Sequence, residues 1–377
     1  MAKLTTKLLD MDVVEAARMR IRHIYDTFDD VAVCFSGGKD SLVCLHLAKE
    51  LHEERGLGPV KVIFRDEEII NRCVIDFVNE YRQKDWVQLG WFCVPLKSER
   101  VILDKRYDYI QWDEHRENIR EAPPWSFRRR PGDPEVFRQH DIDNYECERM
   151  GLKGRVAFIL GIRADESLTR RRSCINKVHE NYITKPAGSP SAHRVRLGKI
   201  IYDWREKDVM KWLHENEIRW CPIYDAQNLV GAGELRVSTP LHSEAVKRSM
   251  GKLHLRQVDP ELYDGIIKLW PEMAIAERYT DDFDVNAIIA KFARDGFAGC
   301  KRFVDERYAE GSMAKARAMN RVRDFLRLTR QEGGRDAYPP ELLMKILIGG
   351  AVDCIPIPLS KIEQERTRNK RKKYGYE

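Results

Sequence analysis

The sequence predicts an α/β protein: a doubly wound, mostly parallel sheet followed by a helical C-terminal region. Three observations predict it. In the first half, short apolar runs alternate with stretches of helical period, the pattern of a parallel sheet with helices on both faces. The run Val31–Phe35 passes directly into Ser36-Gly37-Gly38 and then into a helical pattern. From about residue 256 onward the apolar spacing is mostly helical.

Taken in order, Val13, Val14, Ala17, Ile21 and Ile24 share one helical face over residues 12–28. Val31–Phe35 is a first strand, and Leu42–Leu51 returns to the helical period. Val60–Phe64 is a second strand, Ile69–Tyr81 a second helix of the sheet, and Trp91–Val94 a third strand. Residues 104–150 interrupt the alternation with Pro123, Pro124, Pro131, Pro134, several aromatics and Arg128-Arg129-Arg130, and read as an insertion or lid outside the core. The sheet resumes at Val156–Leu160, followed by Gly161-Ile162-Arg163. Asp203 reads as the cap of a helix whose Trp204, Val209 and Trp212 face the core.

A chain of 377 residues with 43% hydrophobic residues holds two or three units. The expected division is 1–245, with the insertion at about 104–150, and 246–377. No apolar run approaches the ~18 residues of a membrane span, and Met1–Asp12 has no apolar stretch of the kind a signal peptide carries. A cytoplasmic protein is expected. Its nine cysteines are odd in number and form no CxxC pair, so reduced thiols, several of them buried, are expected rather than a local zinc or iron–sulfur site. The net charge of +6 is concentrated at the end, where residues 361–377 hold seven Lys or Arg against three Glu. This tail (361–373), and a basic helical stretch over 313–330, are candidate contacts for DNA; the alternative for both is a solvated face.

The strongest local signal is Ser36-Gly37-Gly38-Lys39-Asp40-Ser41. Glycines let the backbone turn sharply and approach an anion. The helix that follows offers unpaired N–H groups and the positive end of its dipole. Lys39 adds a charge, and Ser36 and Ser41 add hydroxyls. Asp40 would repel bare phosphate, so its expected tasks are bonding the loop or helping to hold Mg²⁺. The loop is neither GxxxxGK[ST] nor GxGxxG.

These six residues resemble the PP-loop of the adenine-nucleotide α-hydrolase-like (HUP-type) superfamily. Within it the chain is similar to the branch of 3′-phosphoadenylylsulfate (PAPS) reductases and the small subunit of bacterial ATP sulfurylase. Val62-Ile63-Phe64-Arg65-Asp66, the stretch Gly161–Arg170 and the stretch Ile201–Trp212 carry the same resemblance, which covers roughly residues 15–245. It implies ATP or PAPS as ligand, with Mg²⁺.

Arg163 lies just past an apolar strand, at the edge of an open sheet where ligands bind. Arg163 and Arg170 suit phosphate or sulfate; pairing with Asp165 or Glu166 is the alternative. Asp66, at the end of the second strand, suits ribose or metal. Arg236 either reaches the nucleotide or is an exposed loop residue. Lys39, Asp40 and Arg163 are the candidate catalytic groups. His46 is expected to be a packed helix residue.

The chain departs from the reductases in lacking their cysteine context: Cys354 lies in Asp-Cys-Ile-Pro. Paired cluster-binding cysteines are missing too. The better resemblance is to PAPS-reductase-like proteins of bacteria, mobile elements and phages, related to the ATP pyrophosphatases of DNA phosphorothioation, where a ParB-like partner is common. The implied activity is cleavage of ATP at the α-phosphate, adenylating an oxyanion or a nucleic-acid phosphate. Sulfur metabolism of the PAPS reductase or ATP sulfurylase type is one alternative. A non-catalytic nucleotide sensor that binds DNA or a protein is another.

Overall fold

The computed structural model describes residues 10–102, 105–166, 168–175, 182–186, 189, 193–230, 237, 255–276, 285–331, 333–349, 352–353 and 356–375. The chain divides into two compact units, each assembled from separate segments. The first comprises Met1–Glu67, Arg72–Leu96 and Glu121–Asp225; the second comprises Glu68–Asn71, Lys97–Arg120 and Ala226–Glu377.

The first unit is built on a six-stranded sheet. Its strands are β1 (Asp30–Cys34), β2 (Val60–Arg65), β3 (Val87–Phe92), β6 (Val156–Leu160), β7 (Ile183–Thr184) and β8 (Val195–Gly198). The order is β3-β2-β1-β6-β8-β7, all parallel except β7, which runs antiparallel to β8. The expected doubly wound α/β sheet is therefore present. Its order reverses between β1 and β6, the topological switch point at which open sheets bind ligands.

The helices of this unit are α1 (Val13–Thr27), α2 (Lys39–Arg55), α3 (Arg72–Arg82), α4 (Gln139–Arg149), α5 (Leu168–Ile175), α6 (Glu206–Glu215) and the start of α7 (Ile223–Leu229), whose residues from Ala226 on lie in the second unit. Strand periodicity puts Ala32, Ile63, Phe92, Val156 and Phe158 on one face, where they pack with Ile142, Tyr145 and Cys147 of α4. Val33, Val62 and Ile159, in register across the three central strands, point to the other face. There Phe35 meets Phe77 and Tyr81 of α3.

Four expectations need correction. The stretch 104–150 is not wholly outside the core, because α4 buries Ile142, Tyr145 and Cys147 against the sheet. The third strand ends at Phe92, and α3 starts at Arg72 rather than Ile69. Asp203 does not cap α6. Its carboxylate is held by Arg20 through two hydrogen bonds of 2.7 Å, and the Arg205 N–H instead donates to Asp208. Trp204, Val209 and Trp212 are buried as expected.

The second unit contains a two-stranded sheet of β4 (Leu96–Ile102), whose first residue lies in the first unit, and β5 (Lys105–Gln111). Its helices include Val285–Ala293, Gly296–Arg307, Met313–Leu328 and Pro340–Ile348, which share a core around Phe292, Phe303, Phe325 and Leu343. The basic tail is itself a helix, Lys361–Lys373. Arg371 holds the buried Glu341 at 2.5 and 2.9 Å, Arg368 pairs with Asp336, and Lys370 bonds Asn286. Among the described residues no helix is long and apolar enough to cross a membrane.

Candidate functional site

The loop Ser36–Ser41 joins β1 to α2 at the switch point of the sheet. Gly37 takes φ +76°, which favours glycine, and a Cβ there would lie 2.8 Å from Val74 Cγ1 of α3. Gly38 occupies the cap position of α2 without a side chain to satisfy the first N–H groups. Ser36 and Ser41 stabilise the turn from within. Their hydroxyls are 3.0 Å apart, the Ser36 N–H donates to Ser41 Oγ, and Ser41 Oγ donates to the Gly38 carbonyl. Both serines thus brace the loop. Asp40 and Ser41, as second and third residues of the helix, carry N–H groups beyond the reach of its own carbonyls.

Lys39 is buried along most of its length. Its ammonium lies 3.1 Å from Glu206 Oε1 of α6 and 4.9 Å from the Tyr224 ring centroid of α7. The Lys39 N–H donates to the Tyr224 hydroxyl at 3.1 Å. The lysine is therefore held by two groups that sequence reasoning did not assign. Tyr224 left a faint signal in the Tyr-Asp pair that follows α6; Glu206 left none.

Arg163 and Asp40 meet. Arg163 Nε donates to Asp40 Oδ1, Nη1 lies 2.7 Å from Asp165, Nη2 lies 3.7 Å from Glu166, and the guanidinium is almost fully buried. Burial pushes the Asp40 carboxyl above its usual range, and the Arg163 charge opposes that rise. Burial also disfavours the Arg163 charge, but Asp40, Glu166 and Asp165 outweigh it and keep the guanidinium protonated. Arg170 pairs with Glu166 one turn along. The two arginines, with Asp40, Asp165 and Glu166, thus form one chain of ion pairs behind the loop. Gly161 brings this chain close: a Cβ there would lie 2.6 Å from the Asp40 carbonyl carbon and 2.8 Å from Ser41 Cα.

Asp66 follows β2 at the same edge and is buried. Its Oδ2 accepts from Trp91 Nε1 at 2.8 Å and from the Cys93 thiol at 3.6 Å. Arg65 beside it turns to α4 and pairs with Asp143 and Glu146. Arg236 lies outside the described residues. His46 is packed as expected: Nε2 lies 2.9 Å from the Tyr81 hydroxyl, and burial lowers its pKa to about 4.

Asp40 Oδ1 faces Arg163. An ion there would share the Asp40 carboxylate with Arg163. Among the described residues no group of three or more His, Cys, Asp or Glu is placed to hold a metal ion. The thiols of Cys34, Cys44, Cys147, Cys174, Cys221 and Cys300 are all pushed up by burial, the opposite of an activated nucleophile. Cys354 lies outside the described residues.

Residues 30–258 match the phosphoadenosine phosphosulfate reductase domain. The chain is 28% identical over 251 residues to the uncharacterized protein YbdN of Escherichia coli K12, covering 63% of this chain and 60% of that protein. This chain thus spans less than two thirds of that relative. Among solved structures, Candida glabrata FMN adenylyltransferase in complex with FAD and inorganic pyrophosphate gives a TM-score of 0.37 at 12% identity, over 57% of this chain and 59% of that one. Phosphoadenylyl-sulfate (PAPS) reductase from Candida auris gives 0.33 at 13% identity, over 62% and 99%. Structural likenesses this loose bear on neither mechanism nor ligand.

Proposed function

The chain belongs to the phosphoadenosine phosphosulfate reductase domain family, and from that membership we propose that it is a PP-loop enzyme that binds ATP together with Mg²⁺ and cleaves it at the α-phosphate. The observation that carries this reading is the position of Ser36–Ser41: a glycine turn opening a helix at the switch point of a parallel sheet. Backbone N–H groups of the loop and the Lys39 ammonium take the charge of the β- and γ-phosphates as pyrophosphate leaves. An oxygen of an oxyanion or of a nucleic-acid phosphate attacks the α-phosphorus. One P–O bond forms, the bond to pyrophosphate breaks, and the acceptor carries AMP. Arg163 and Asp40 hold the floor of the loop, and Asp66 and Arg170 lie at the same edge as candidate contacts. Arg236 remains a candidate on sequence alone.

To meet a phosphate, Lys39 must exchange Glu206 for it. The finer placement, among relatives of DNA phosphorothioation ATP pyrophosphatases with a ParB-like partner, rests on the sequence resemblance.

A second reading takes PAPS as the substrate, as the family's description favours; the raised thiols of the described cysteines weigh against reduction by this chain itself. The deciding experiment incubates the protein with MgATP or with PAPS and follows both products. Pyrophosphate from ATP, lost in Lys39→Ala, supports the proposal. Adenosine 3′,5′-bisphosphate from PAPS supports the second reading. Tight nucleotide binding with no product from either would leave a sensor.

A further inference from the structure

The segment 121–130 is conspicuous for its prolines, aromatics and arginines, and nothing in the nucleotide site uses it. It is ordered against the edge strand of the sheet. The Phe127 N–H donates to the Trp91 carbonyl at 2.7 Å, and the Cys93 N–H donates to the Phe127 carbonyl at 3.0 Å, so Phe127 lies beside Phe92 at the carboxyl end of β3. The pairing is parallel, so this segment runs from Trp125 toward the edge of the sheet that also carries Asp66 and the loop.

Trp125 is 48% exposed, and the Arg82 guanidinium lies 4.3 Å from its ring centroid. Arg82 also donates to Asn79 Oδ1, Arg128 to the Ala122 carbonyl, and Arg149 to the Arg128 carbonyl while it lies 4.4 Å over the Phe127 ring. All three arginines direct these hydrogen bonds at neutral oxygens, and among the described residues no carboxylate cancels their charge. Arg130, by contrast, is neutralised by Glu148 and Asp133.

An indole face beside uncompensated guanidinium groups has the chemistry of a platform for unpaired bases: the ring stacks on a base and the cations meet its phosphates. We propose that Trp125, Arg82, Arg128 and Arg149 form a binding surface for single-stranded nucleic acid. This rests on the function proposed above and deepens it, because it names the class of acceptor that would be led along β3 toward the carboxyl edge of the sheet.

The test uses the full chain and a fluorescent single-stranded oligothymidylate of about twenty nucleotides, followed by anisotropy at several salt concentrations. An oligouridylate and a duplex of equal length run in parallel. Single strands should bind more tightly than the duplex. Trp125→Ala should weaken single-strand binding by about fivefold to a hundredfold, and Trp125→Phe should restore most of it. Arg128→Ala should flatten the salt dependence by about 0.7 per lost contact. Inorganic polyphosphate serves as the control polyanion, and its binding should not respond to Trp125→Ala. Equal binding of duplex and single strand, or a Trp125→Ala variant indistinguishable from the parent, would overturn the inference. Calorimetry with ATP on the same proteins separates the two proposals. ATP binding without oligonucleotide binding removes the surface and leaves the nucleotide site. Oligonucleotide binding in a protein whose ATP affinity is absent, or ignores Lys39→Ala, does the reverse.

Discussion

Arg163 donates through Nε to Asp40 Oδ1, and this bond ties the chain leaving β6 to the first turn of α2. Asp40 is mostly buried and its carboxyl is already raised by burial. Arg163→Met would strand that carboxylate. It should cost about 3–5 kcal/mol, as removal of one partner from a buried pair does, read from urea unfolding at neutral pH. A cost below about 1 kcal/mol would mean that the arginine is kept for a ligand and not for the loop.

Gly161→Ala should be more damaging to nucleotide binding than its one methyl suggests. The new Cβ meets Asp40 and Ser41 backbone, not a side chain that can swing away. Overpacking of this kind costs about 1–3 kcal/mol, and relief requires the loop itself to move. Calorimetry should find ATP binding lost, while circular dichroism still shows a folded protein. Normal ATP affinity in this variant would show that the loop tolerates displacement.

Glu206→Gln should tighten binding of inorganic tripolyphosphate. The Glu206 side chain is 62% exposed, so the pair with Lys39 is worth little, and a gain of about twofold to fivefold is expected. In a Lys39→Ala background the same substitution should change nothing. Weaker binding in the single variant would instead assign Glu206 to a bound cation.

Stability should depend on pH through His46. Its folded pKa is lowered to about 4 from an ordinary 6.5, so the unfolded state binds the proton more readily. The contribution is fully present above about pH 6.5 and is lost as pH falls toward 4, by up to about 3 kcal/mol. Denaturant midpoints at pH 7.5 and 5.0 should differ less in His46→Asn than in the parent. An equal difference in both would place the titrating group elsewhere.

The basic tail makes a bounded prediction for duplex DNA. Of the seven cations in helix Lys361–Lys373, Arg368 and Arg371 are paired with the carboxylates of Asp336 and Glu341, whereas Lys370 bonds the neutral amide oxygen of Asn286 and keeps its charge uncancelled there. The remaining five allow a slope of log K against log[salt] no steeper than about −4.5 from this helix. Anisotropy with and without residues 361–377 measures the difference. A larger change on truncation would require the paired cations to let go of their partners.

The loop was legible because its signal is local: an apolar strand, two glycines and a helix within about twenty residues. The same holds for β2, β6 and the burial of Trp204, Val209 and Trp212. What stayed hidden depends on partners far along the chain. Glu206 and Tyr224 reach Lys39 from α6 and α7, and no spacing announces that. Trp91 bonding Asp66 is invisible for the same reason. β8 is only Val195–Gly198, with Arg196 inside it, and β7 is two residues. Helix α4 was masked by charge, since Asp141, Asp143, Glu146 and Glu148 dilute the apolar face formed by Ile142 and Tyr145.

The interleaving of the two units has a consequence for synthesis on the ribosome. The chain passes from one unit to the other after residues 67, 71, 96, 120 and 225. Strand β5 emerges early, yet the Met313 N–H that donates to its Asp108 lies about two hundred residues later. At roughly 5–20 residues per second, that strand waits on the order of ten seconds or more for its partner. During that interval the Asp108 carboxylate lacks that native donor. Translation speed through the stretch between them, or a chaperone that shields the waiting strand, thereby becomes a determinant of yield.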